Sequence, residues 1–106
     1  MITLEIIWTQ SALNDLNVII EFISQISVQT ASRVANKILS RTNQLSKFPL
    51  SGQLEPALAK TKYQYRYIIE GHSKIIYRFD GAKLYIERVF DTLQSPEKLT
   101  TDSSKK

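Results

Sequence analysis

The chain has no cysteine, so it offers neither a disulfide framework nor a thiolate metal site, and a single histidine cannot form a His-rich one. A reducing compartment fits that composition, and no metal or other cofactor is expected. No run approaches the roughly 20 apolar residues of a membrane span. The start, Met1-Ile2-Thr3-Leu4-Glu5, lacks a basic segment followed by an apolar core. A soluble cytoplasmic protein with no membrane partner is the expectation. Acid is missing over one long stretch: no Asp or Glu lies between Glu21 and Glu55, whereas Arg33, Lys37, Arg41 and Lys47 do. Lys60, Lys62, Arg66, Lys74 and Arg78 form a second basic group. The net charge of +4 is modest, but this distribution favours a polyanion or an acidic protein as partner. Solubility alone also makes exposed helix faces basic.

The 106 residues, 42% hydrophobic and 23% charged, are enough for one globular domain and too few for two. The Lys60–Pro96 block reads as three strands joined by tight turns. Tyr63-Gln64-Tyr65-Arg66-Tyr67-Ile68-Ile69-Glu70 carries a tyrosine at every second place, so three phenol rings share one face of a strand. Those rings can stack on bases or pack beneath helices. Turns at Gly71-His72 and Asp80-Gly81 separate this run from Lys74–Phe79 and Lys83–Phe90, which gives an antiparallel meander.

Upstream, Ile2–Trp8 suits a short strand, with Trp8 as a core anchor. Thr9 or Ser11 can cap a helix in which Ala12, Leu13, Leu16, Ile19, Ile20, Ile23 and Ile26 recur at helical spacing. Asp15 and Glu21 fall on its solvated face. After a break at Ser27–Thr30 the pattern restarts at Ala31, Val34, Ala35, Ile38, Leu39, Thr42 and Leu45. There Arg33, Lys37 and Arg41 form a stripe of their own. Phe48-Pro49-Leu50-Ser51-Gly52 ends the second helix, and Ala57-Leu58-Ala59, in the connection that follows, is expected to tuck against the sheet. The result is an α+β fold, a two-layer β-α-α-β-β-β domain with an antiparallel sheet packed on an N-terminal α-helical hairpin. The domain is expected to span residues 1–99, with a disordered polar tail over 100–106. The first strand's partner and direction are left open by pattern alone.

Several pieces together resemble the RelE/ParE toxin superfamily: Trp8-Thr9 opening a helix, Ala12 and Asp15-Leu16 within it, Phe48-Pro49-Leu50-Ser51-Gly52, Tyr65-Arg66, Lys74-Ile75-Ile76-Tyr77-Arg78 and Val89-Phe90-Asp91-Thr92. The resemblance runs from about residue 3 to Leu99. It implies the toxin of a type II toxin-antitoxin pair, neutralised by a cognate antitoxin in a hetero-oligomer. RelE-like members cleave mRNA in the ribosomal A site, whereas ParE-like members act on DNA gyrase by binding it.

A metal-independent endoribonuclease needs a base, a cationic clamp and an acid close together. Lys74, Arg66 and Arg78 could hold a scissile phosphate, and His72, as the one imidazole in the chain, is the candidate for proton transfer. In cross-strand ion pairs with Glu70, Glu87 or Asp91, the same arginines would be structural. The ribonuclease members usually carry an Arg after the last strand and a Tyr or His near the C-terminus. Here Leu93 stands at the first position, and no Tyr or His follows Tyr85. The departure favours a ParE-like gyrase poison over an mRNA endonuclease; a non-toxic partner-binding domain of the same fold is the third reading. Arg33, Lys37, Arg41, Lys60 and Lys62 are the expected nucleic-acid or partner-binding surface. The antitoxin is expected to lay an acidic amphipathic helix in a groove beside the hairpin, or to add a strand to the sheet edge.

Overall fold

A computed structural model describes residues 4–92; the expected C-terminal tail, and Leu93, lie outside them. In chain order the elements are β1 (Glu5–Trp8), α1 (Gln10–Ser24), α2 (Val28–Leu45), β2 (Gln53–Leu54), a 3-10 turn (Pro56–Leu58), β3 (Tyr65–Glu70), β4 (Ser73–Phe79) and β5 (Lys83–Asp91). They form the two-layer α+β arrangement expected from the periodicities. The meander β3-β4-β5 is antiparallel. The open question of the first strand is answered by its parallel pairing with β5, Ile6 opposite Leu84 and Trp8 opposite Ile86. The sheet is therefore mixed, in the order β1-β5-β4-β3-β2. Its fifth strand, the two-residue β2 on the far edge, has no signal in the sequence pattern.

Each helix begins where a hydroxyl can serve a free amide. Thr9 Oγ1 accepts from the Ala12 amide at 3.1 Å, and Ser27 Oγ accepts from the Thr30 amide at 3.1 Å. The Thr9 hydroxyl also reaches the carbonyls of Ile86 and Glu87, so the cap fastens α1 to β5. Between helices and sheet lies one core that includes Ala12, Ile19, Ile38, Leu45, Ile68, Ile75, Tyr77, Leu84, Ile86 and Val89, with Trp8 packed against it. In the β4–β5 turn, Asp80 accepts the Lys83 and Ala82 amides at 2.8 and 2.9 Å. Those two amides hold its carboxyl below the ordinary aspartate range.

Asp15 is not the solvated residue its position on the helix suggests. Its carboxylate accepts from Arg88 Nε at 2.7 Å and Arg88 Nη2 at 3.0 Å, and Oδ2 also takes the Val89 amide at 2.9 Å. Beyond Trp8 there is no β1 to pair with β5, and Asp15 serves the amide left open there. Asp15→Ala is expected to cost about 1–2 kcal/mol, because Val89 N–H loses its acceptor while the half-exposed arginine contributes little. Urea denaturation reads this directly, and a loss below about 0.3 kcal/mol would contradict the role given to Asp15.

Candidate functional site

The sheet has two unlike faces, and alternation along the strands decides which residues share one. Ile68, Ile75, Tyr77, Leu84 and Ile86 point at the helices. Tyr65, Tyr67, Lys74, Arg78 and Tyr85 therefore look the other way, so the tyrosine stripe does not pack beneath the helices. Arg78 lies between two phenol rings, 4.3 Å from the Tyr63 centroid and 4.0 Å from that of Tyr85. Lys74 Nζ stands 4.3 Å from the Tyr67 centroid. All three contacts are within cation–π range.

Each of these cations also meets a carboxylate from its own chain. Arg78 Nε donates to Glu87 Oε2 at 2.8 Å. Pairing shifts between β4 and β5 so that Ile76 faces Arg88 and Tyr77 faces Ile86, which leaves Glu87 as the extra residue of a bulge. Burial pulls the Arg78 pKa down, but the hydrogen bond and charge of Glu87 outweigh it and the net shift is upward. Burial also pushes the Tyr65 phenol up, and the Glu87 charge adds to this.

Lys74 Nζ lies 2.7 Å from Glu55 Oε1. That oxygen has no hydrogen bond of good geometry, so the charge of Lys74 is what balances it. Glu55 is 5% exposed, and its Oε2 accepts the Ala57 amide at 3.0 Å. Burial of a carboxylate is tolerable only with such a partner. The connection after β2 is thus anchored on the sheet by Glu55, while Ala57 and Ala59 stay exposed and Leu58 is half-buried; the apolar trio does not do the tucking.

The four residues singled out for nuclease chemistry do not converge. Arg66, on the helix-facing side of β3, donates to the Gly52 carbonyl at 2.9 Å and lies against that of Leu50. His72 sits in the β3–β4 turn, where its carbonyl accepts the Thr92 amide at 2.8 Å. Its side chain borders a groove on the helix side of the sheet. Lys74 and Arg78 alone share the outer face. Of the expected basic surface, Arg33 and Lys37 are exposed on α2, and Arg41 is half-buried against Glu70 at 3.4 Å. Lys60 and Lys62 are exposed beside the outer face, Lys62 Nζ 5.6 Å from the Tyr63 centroid.

The groove is the second candidate. It encloses about 340 Å³ between the helical hairpin and the β3–β4 turn, with Phe22, Ile23, Val34 and Ile38 among its walls and Lys37, Glu70, His72 and Asp91 at its polar positions. Phe22 is 48% exposed here, and next to it Ile26 and Val28 stand out at 80% and 70%. An apolar trough with charge at its border suits an amphipathic segment of another protein. Among the described residues no group of His, Cys, Asp and Glu could hold a metal ion, and no helix is long and apolar enough to cross a membrane.

The sequence profile of the ParE toxin of the type II toxin-antitoxin system, parDE, matches residues 6–96. Among solved structures, a chain of the chromosomal ParDE toxin-antitoxin system from P. aeruginosa is similar, with a TM-score of 0.68 at 20% sequence identity. The match covers 84% of this chain and 96% of that one, and at this identity the likeness is one of fold. No curated protein matches the chain.

Proposed function

Because the chain belongs to the ParE toxin family within the RelE/ParE superfamily, and so is the toxin of a type II toxin-antitoxin pair with an antitoxin partner, we propose that it acts in the cytoplasm by binding DNA gyrase and not by cutting RNA. The observation that carries this reading is the internal pairing of the outer-face cations. Lys74 is bound to Glu55 and Arg78 to Glu87, so neither is poised for a scissile phosphate. A nuclease would also need a free proton donor or acceptor beside them; His72 borders the groove on the other side of the sheet, and the carboxylates at hand, Glu55 and Glu87, are engaged by those same cations. Mutual reach of base, clamp and acid is the first requirement of that chemistry. A face of phenol rings around a balanced arginine has instead the composition of a protein interface, where Tyr and Arg are enriched.

The antitoxin occupies the groove in this reading. Phe22, Val34 and Ile38 accept the apolar side of its helix, and Lys37 meets a carboxylate on it. The outer face is then left for the target.

The purified toxin is expected to inhibit gyrase supercoiling and to accumulate cleaved DNA complexes, with both effects reversed by stoichiometric antitoxin. Full supercoiling activity with folded toxin in large excess over gyrase would contradict the proposed target.

A further inference from the structure

We propose that Glu87 and Glu55 decide what the outer sheet face can bind: they occupy the cation positions a phosphodiester would take, and so keep nucleic acid off a face otherwise built for it. The inference rests on the protein-binding reading above. Without the two carboxylates this face would have the parts of a single-strand site, aromatic rings for stacking and cations beside them for the backbone. The Arg78 guanidinium lies within cation–π distance of both Tyr63 and Tyr85, and Tyr67 lies against Lys74.

The two carboxylates work in different ways. Glu87 reaches Arg78 from the surface: its side chain is 24% exposed and that of Arg78 18%. A phosphate would therefore compete with it for the guanidinium edge, where a fixed neighbouring carboxylate holds the advantage of proximity. Glu55 is a cover as well as a counter-charge. Its side chain is 4% exposed, that of Lys74 15%, and it lies in the connection that leads into the 3-10 turn. Placement of Glu87 at the bulge adds a second point. A residue outside the regular pairing is free to aim at the Arg78–Tyr85 pair, which a regularly paired neighbour would not reach in the same way.

Glu87→Gln is the primary variant, with Glu55→Gln second and the double variant third. In Glu55→Gln the amide oxygen can still accept the Ala57 amide. A fluorescein-labelled 20-nucleotide oligouridylate serves as the probe, with anisotropy read at two salt concentrations. Thermal melts confirm the fold of every variant. Glu5→Gln/Glu21→Gln, equal to the double variant in net charge, controls for charge alone.

Glu87→Gln is expected to bind the probe about fivefold more tightly than the unaltered toxin, and the double variant about tenfold, with a steeper loss of affinity as salt rises. Adding Arg78→Ala to either should abolish most of the gain. Two results would overturn the proposal: no gain in folded Glu87→Gln and double variants, or a gain that the charge-matched control reproduces or that survives Arg78→Ala. Cleavage of transcripts by the unaltered toxin in cells would sink the protein-binding reading instead, and the binding comparison distinguishes the two failures.

Discussion

Gly52→Ala is expected to destabilise the domain by about 3 kcal/mol, the largest single-residue effect outside the core. A Cβ there would lie 2.6 Å from the Tyr77 hydroxyl oxygen, 2.7 Å from the Tyr67 carbonyl oxygen and 2.8 Å from Tyr77 Cε1. None of these can move cheaply, because Tyr77 is fully buried and the Tyr67 carbonyl belongs to a strand. The close approach has a purpose. Tyr77 Oη donates to the Pro49 carbonyl at 2.8 Å and accepts the Gly52 amide at 2.9 Å, and Arg66 takes the Gly52 carbonyl. One buried phenol thus ties the Phe48–Gly52 connection to the centre of the sheet. Burial raises its pKa, against a lowering by the Gly52 amide.

Tyr77→Phe keeps the ring and leaves the Gly52 amide and Pro49 carbonyl without their partner, so it should cost less, about 1–2 kcal/mol. Urea denaturation of both variants gives the comparison: the glycine variant should show the lower midpoint at an unchanged slope. A Gly52→Ala protein within about 0.5 kcal/mol of the original would contradict the close packing described.

Phe22→Glu is expected to weaken antitoxin binding about 100-fold, some 2.7 kcal/mol, while the toxin stays folded. Phe22 is half-exposed in the free toxin, so its loss disturbs the core little, yet it forms a wall of the groove proposed for the antitoxin helix. Lys37→Glu should cost about tenfold and flatten the salt dependence, since a rim charge contributes mainly through long-range attraction. Titration calorimetry at two ionic strengths separates the two effects. Affinity within about threefold of the original in both variants would move the antitoxin elsewhere.

What the sequence revealed, and what it withheld, follows the range of the interactions. The helical hairpin and the meander were legible because Leu16, Ile19 and Ile23, or Tyr65, Tyr67 and Ile69, carry their period locally. The cap of α1 was narrowed to Thr9 or Ser11 for the same reason, and it is Thr9. Which face of β3 the tyrosines occupy was not, since alternation groups residues without saying which side the helices cover. β1 is too short to declare its partner, and its pairing with β5 spans most of the chain. β2 is two residues held by a neighbour.

The ion pairs were legible only where strand register could propose them. Arg78–Glu87 lies on adjacent strands and was among the alternatives. Asp15–Arg88 and Lys74–Glu55 join an element to a distant helix or loop, and no local pattern marks them. Of the two carboxylates on the outer face, Glu55 was missed for this reason. Glu87 was one of three possible partners for the strand arginines, whereas Glu55 stood out only as the acid that ends the acid-free stretch. A buried glutamate has no signature in a single sequence, although the first acid after a long acid-free stretch was a place to look.

The most direct test is induction of the toxin without antitoxin, with mRNA 5′ ends and gyrase-linked DNA breakage recorded from the same culture. Growth arrest with gyrase-linked DNA breaks and intact transcripts is the predicted result. Cuts within translated codons, lost when Lys74 is replaced by alanine in a folded protein, would contradict it.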